Sequence, residues 1–102
     1  MSEPAALVAF RAALGETAPP ALWPEALRAL WFDARGDWSA AHRVAQDIDD
    51  ETGAWVHAYL HHREGDAENA AYWYRRARRP VAHGALDEER DRMVAALWPG
   101  GG

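Results

Sequence analysis

Two histidines and a glutamate, His57, His61 and Glu64, follow one another at intervals of four and three residues. On an α-helix these positions share one face. Two imidazoles and a carboxylate so spaced could ligate zinc or iron, or serve as acid and base. The metalloprotease pattern His-Glu-x-x-His is absent, and the plainer reading is a polar stripe that faces solvent or a partner. His42 lies beside an apolar stripe of its own and could join the others across a groove. His62 and His83 read as structural or exposed.

A second group is Asn69, Tyr72 and Arg76, again at intervals of three and four. An amide, a phenol and a guanidinium on one face can fix a carboxylate or a phosphate. A third is the run Arg75, Arg76, Arg78 and Arg79. It sits where a helix would end, and the helix dipole favours cations there. The acidic cluster Asp47, Asp49, Asp50 and Glu51 is its expected counterpart. Trp23, Phe32, Tyr72 and Trp98 lie off the apolar stripes or at element ends, and together would form an exposed aromatic patch. No Gly-rich phosphate loop, nucleophile elbow or calcium loop occurs.

The elements that carry these residues read as helices throughout. Stretches rich in Ala, Leu, Arg and Glu alternate with Gly and Pro breaks, and no stretch alternates apolar and polar residues in strand fashion. The expected class is all-α, with about six helices over 5–14, 24–35, 38–48, 51–64, 67–79 and 87–98. Pro24 suits a first helical position. Gly36 and Gly65 suit the left-handed residue that ends a helix, and Asp37 and Asp66 can cap the next one. Asp87, Glu88 and Glu89 place negative charge at the start of the last helix.

A shift of 29 residues lays Gly36-Asp37 on Gly65-Asp66. After the breaks, Trp38, Ala41, Val44, Ala45 and Ile48 match Ala67, Ala70, Trp73, Tyr74 and Ala77. Before them, Ala26, Leu27, Leu30 and Trp31 match Trp55, Val56, Tyr59 and Leu60. Each set is one apolar stripe. The stretch Gly65-Asp66-Ala67-Glu68-Asn69-Ala70, with Trp73-Tyr74 and Ala77, resembles the second half of a tetratricopeptide repeat. The period is shorter than that family's usual one, and the first helices lack its full Trp/Leu-Gly-Tyr spacing. The resemblance implies a single domain over 1–102, with repeat-like units at about 24–50 and 51–80 and capping helices at 5–14 and 87–98. It also implies polar side chains on an inner face that hold peptide ends. The string from Ala54 to Arg76 resembles small bacterial proteins to which no activity is attached.

Composition narrows the function classes. The chain has 102 residues, 49% hydrophobic and 26% charged, enough for one folded domain. It has no cysteine, hence no disulfide and no thiolate ligand or nucleophile. Its net charge of -5 argues against nucleic acid and anionic lipid as partners. An acidic N-terminus and the lack of a long apolar run predict a cytoplasmic protein with no membrane partner. All eleven Lys+Arg residues are Arg, and six Trp give the short chain a large aromatic share.

The expectation is a small helical-repeat module that binds a peptide or protein partner through His57, His61, Asn69, Tyr72 and Arg76. Arg76 suggests an acidic partner, and a purely structural homodimer with no ligand is a third option. The rival reading is a metal-binding or hydrolytic protein that uses zinc or iron on His57, His61 and Glu64. No cofactor is required by the first reading, and the residues favour binding over catalysis.

Overall fold

Gly36-Asp37 and Gly65-Asp66 each end one helix and start the next by the same set of bonds. In the first, Gly36 takes φ +83°, its N–H donates to Asp33 O at 2.9 Å, and Asp37 N–H reaches back to Phe32 O at 2.9 Å. In the second, Gly65 takes φ +88°, with Gly65 N–H on His62 O and Asp66 N–H on His61 O at 3.1 and 2.9 Å. This pair of bonds is the Schellman closure, which needs a left-handed residue. Asp37 Oδ1 then accepts from Ala40 N, and Asp66 Oδ1 from Asn69 N, at 3.0 and 3.2 Å. Each turn thus satisfies backbone groups at both helix ends it joins.

The computed structural model describes residues 3–99. Among them it contains six α-helices and no strand: α1 (Ala5–Ala13), α2 (Glu25–Ala34), α3 (Trp38–Gln46), α4 (Glu51–Arg63), α5 (Ala67–Arg76) and α6 (Leu86–Leu97). No helix is long and apolar enough to cross a membrane. α5 stops earlier than the expected 79. Arg78 adopts φ +58°, while Arg78 N–H and Arg79 N–H bond Arg75 O and Tyr74 O at 3.0 Å each. The same closure thus forms with arginine in the place that glycine holds in the other two. α3 stops at Gln46 rather than 48, which frees Ile48 to meet the next helix. Pro24 stands just before α2, where its carbonyl accepts from Leu27 N and Arg28 N.

α2 packs on α3, and α4 on α5, as the two matched stripes predict; α3 also packs on α4. The outer helices do not sit at opposite ends. α1 and α6 pack on each other, and α6 also touches α2 and α4. Trp23 ties this seam by stacking on Phe10 at 5.7 Å and meeting Trp98 edge-on at 5.3 Å. The expected exposed aromatic patch is therefore not assembled: Trp23 and Trp98 pack together, Phe32 packs on Trp31, and Tyr72 stands exposed elsewhere.

α4 is the central helix, with every residue from Gly53 to His61 buried. Its polar members are matched. The Tyr59 hydroxyl donates to Asp33 Oδ2 at 2.5 Å, and Asp33 also takes Arg63 and Arg90, each at 3.0 Å. Burial and the Asp33 carboxylate push the Tyr59 phenol pKa up. The Tyr74 hydroxyl donates to the buried Glu89 carboxylate, with His62 Nδ1 at 3.7 Å from its other oxygen. These two networks dock α6 onto the hairpins.

Candidate functional site

The site lies where α3, α4 and α5 meet. The Gly36-Asp37 turn starts α3 with Trp38, and one helical turn later comes His42. The Trp38 indole N–H donates to Leu60 O on α4 at 2.7 Å, and its ring stacks on His42 with centroids 4.8 Å apart. α4 supplies His57 and His61, which stack on each other at 4.8 Å. α5 supplies Trp73, which stacks on His57 at 4.0 Å and 11°. Two tryptophans therefore wall a cluster of three imidazoles.

The imidazoles converge. His42 Nε2 and His57 Nε2 are 2.8 Å apart and share an N–H···N bond. The ligating nitrogens of His42, His57 and His61 all lie within 4.8 Å of one another. His57 and His61 are buried, at 8% and 7% exposure, and His42 is half-buried. His61 Nδ1–H donates to Glu64 Oε1 at 2.6 Å, which fixes the ring and leaves its Nε2 outside that bond. Asn69 Nδ2 is 3.5 Å from that Nε2. Burial and the neighbouring rings depress the His57 pKa to about 4. His42 is lowered too, first by burial and then by His61.

Beside this cluster is a pocket of about 380 Å³. Its floor is His57, Trp73 and Ala54, and its rim carries Asp49, Asp50, Glu51 and Arg76. The Arg76 guanidinium lies over Trp73 at 5.5 Å and over Tyr72 at 5.9 Å. Asp50 caps α4 by accepting from Gly53 N at 3.0 Å, and Glu51 pairs with Arg78 at 3.1 Å. That is the one ion pair among the described residues between the expected arginine run and acidic cluster. Arg79 instead lies over Trp55 at 3.4 Å.

The residues singled out from the sequence are thus distributed over two adjoining features. His57 and His61 face inward and do not form an exposed groove edge, because α3 and α5 cover that side of α4. The trio His57, His61 and Glu64 is divided: His42 completes the imidazole cluster, while Glu64 stands behind His61. Glu64 also forms a more exposed group with His61 and Asp66. Of Asn69, Tyr72 and Arg76, the first adjoins His61 and the last lines the pocket. Tyr72 does neither and is 43% exposed. Trp73, expected in the core with Tyr74, is half-buried and serves as a wall between cluster and pocket; Tyr74 is fully buried. Comparison with known protein families, curated proteins and solved structures gives no match to this chain.

Proposed function

We propose that the chain is a small helical interaction module that takes an extended peptide segment of a partner protein at the pocket between the α3–α4 connection and α5. The observation that carries this reading is the pocket itself. Its volume of about 380 Å³ lies in the usual range for ligand sites, and its lining sets Trp73, Ala54 and His57 beside exposed charged groups. That volume suits one or two side chains rather than a large cofactor.

Charge selects the side chain. Asp49, Asp50 and Glu51 line the pocket against Arg76; with Glu51 neutralised by Arg78 the balance is still one negative charge, so the local field favours a cationic group. This replaces the acidic partner that Arg76 alone suggests. Arg76 is held over Trp73 and Tyr72, where it can meet the partner's backbone carbonyls or a neighbouring carboxylate. The fitting partner is a peptide that presents Arg or Lys.

Panning a displayed random-peptide library against the untagged protein tests this. The expected winners carry Arg or Lys at one fixed position and lose binding to an Asp49→Asn, Arg76→Ala double variant. A library that yields no enriched peptide, or peptides that bind the folded double variant equally, would contradict the proposal.

A further inference from the structure

Beyond peptide recognition, we propose that His42, His57 and His61 form a binding site for one divalent transition-metal ion of the zinc class, with Glu64 as the positioning residue behind it.

Geometry is the first support. The three rings come from two different helices, with His42 Nε2 and His57 Nε2 2.8 Å apart and one nitrogen of each ring within 4.8 Å of the others. A tetrahedral ion with Zn–N bonds of about 2.0–2.1 Å sets ligand nitrogens roughly 3.3 Å apart. The His42–His57 pair at 2.8 Å is closer than that, so the ion needs this pair to open slightly. The His42–His57 contact is itself informative. Two Nε2 atoms face each other, and one of them must carry a proton to make the bond. With an ion between them both become acceptors, and the displaced proton passes to the Nδ1 of the same ring or to solvent.

The surroundings are those of a held ligand set. Metal-bound histidines commonly donate their other ring N–H to a carboxylate, which fixes tautomer and ring direction. Glu64 does this for His61 at 2.6 Å. Trp38 and Trp73 stack on His42 and His57 and hold the ring planes by packing. Asn69 Nδ2 is the polar group next to His61 Nε2, at 3.5 Å.

Donor chemistry then selects the ion. Three neutral imidazoles with no thiolate suit zinc, cobalt, nickel or copper. Calcium and magnesium prefer oxygen donors.

The test uses the full chain without a histidine tag, stripped with chelator and titrated with Co²⁺ and with Zn²⁺. The expected result is one ion per chain, visible d–d absorption with Co²⁺ that Zn²⁺ abolishes, and a raised melting temperature. His42→Gln, at a half-buried position, should weaken binding by at least about 100-fold and Glu64→Gln by about 10-fold, in line with the usual effect of such outer partners. His62→Gln and His83→Gln should bind as the parent does. Absence of the Co²⁺ spectrum, or parent-like affinity in a folded His42→Gln variant, would overturn the site. Equal losses on changing His62 or His83 would mark adventitious surface binding and overturn it as well.

Discussion

Asp33 shows how one residue holds three helices together. Its carboxylate is almost wholly enclosed and takes Tyr59 and Arg63 of α4 and Arg90 of α6. Removing this carboxylate takes the acceptor from the buried Tyr59 hydroxyl and leaves Arg63 and Arg90 with only the exposed Asp87 carboxylate, which costs about 1–3 kcal/mol. Asp33→Ala is therefore expected to lower the unfolding free energy by an amount of that order, a large share of a small domain's stability, read as a lower urea midpoint. A midpoint within experimental scatter of the parent would refute the network's role. His57 carries a pH-dependent share of stability. Its pKa falls from the ordinary 6.5 to about 4 in the folded chain, because burial and the rings of His42 and His61 disfavour the charged form. The unfolded chain then binds more protons between these values, so stability is complete above pH 6.5 and is lost as pH falls toward 4. In chelator, the melting temperature should drop between pH 7 and pH 4.5, and the drop should be smaller in His57→Gln. An equal drop in both would place the titrating group elsewhere.

At the scale of elements, a glycine with no turn to make sets how α4 meets the α3–α4 connection. A Cβ on Gly53 would lie 2.0 Å from Ile48 O and 2.7 Å from Ile48 Cβ. Helix propensity alone predicts that Gly53→Ala gains about 1 kcal/mol. The clash is with backbone and cannot relax by a rotamer change, so the expected net effect is a loss of about 2–3 kcal/mol. Gly36→Ala is the matched control: it meets nothing within 4 Å and carries only the left-handed strain of roughly 1–2 kcal/mol. Thermal melts should rank Gly53→Ala below Gly36→Ala; the reverse order would contradict the close approach at Ile48. Because Asp49 and Asp50 sit on this connection and Glu51 begins α4, Gly53→Ala should also disturb the pocket.

Across the whole molecule, what the sequence makes legible is local. Helix starts and stops follow from Asp37, Asp66, Gly36 and Gly65, whose conformational demands are met within a few residues. Arg78 escapes such reading, since arginine seldom takes the left-handed conformation that it adopts here. The direction of His57 and His61 escapes it for another reason. Apolar-stripe analysis assumes one buried face, whereas α4 is buried on all sides along Gly53–His61, a property of what packs around it. The spacing of four placed both histidines on one face; only the arrival of α3 and α5 turns that face inward and brings His42 to it. Glu89 reads as a first-turn charge at the start of the last helix, and its burial, like that of Asp33, comes only when α6 folds back over α2 and α4. That return also sets α1 against α6, which no local signal announces.

The central claim is that the pocket walled by Trp73 and Arg76 receives a partner's basic side chain. The most direct measurement is a ¹⁵N NMR titration of the metal-free protein with an Arg-containing peptide from the panning. The account predicts shifts concentrated on the Trp73 indole N–H, the Arg76 side chain and the backbone from Asp49 to Ala54, with the Trp23 and Trp98 indoles unmoved. Shifts centred on the α1–α6 seam, or none at saturating peptide, would contradict it.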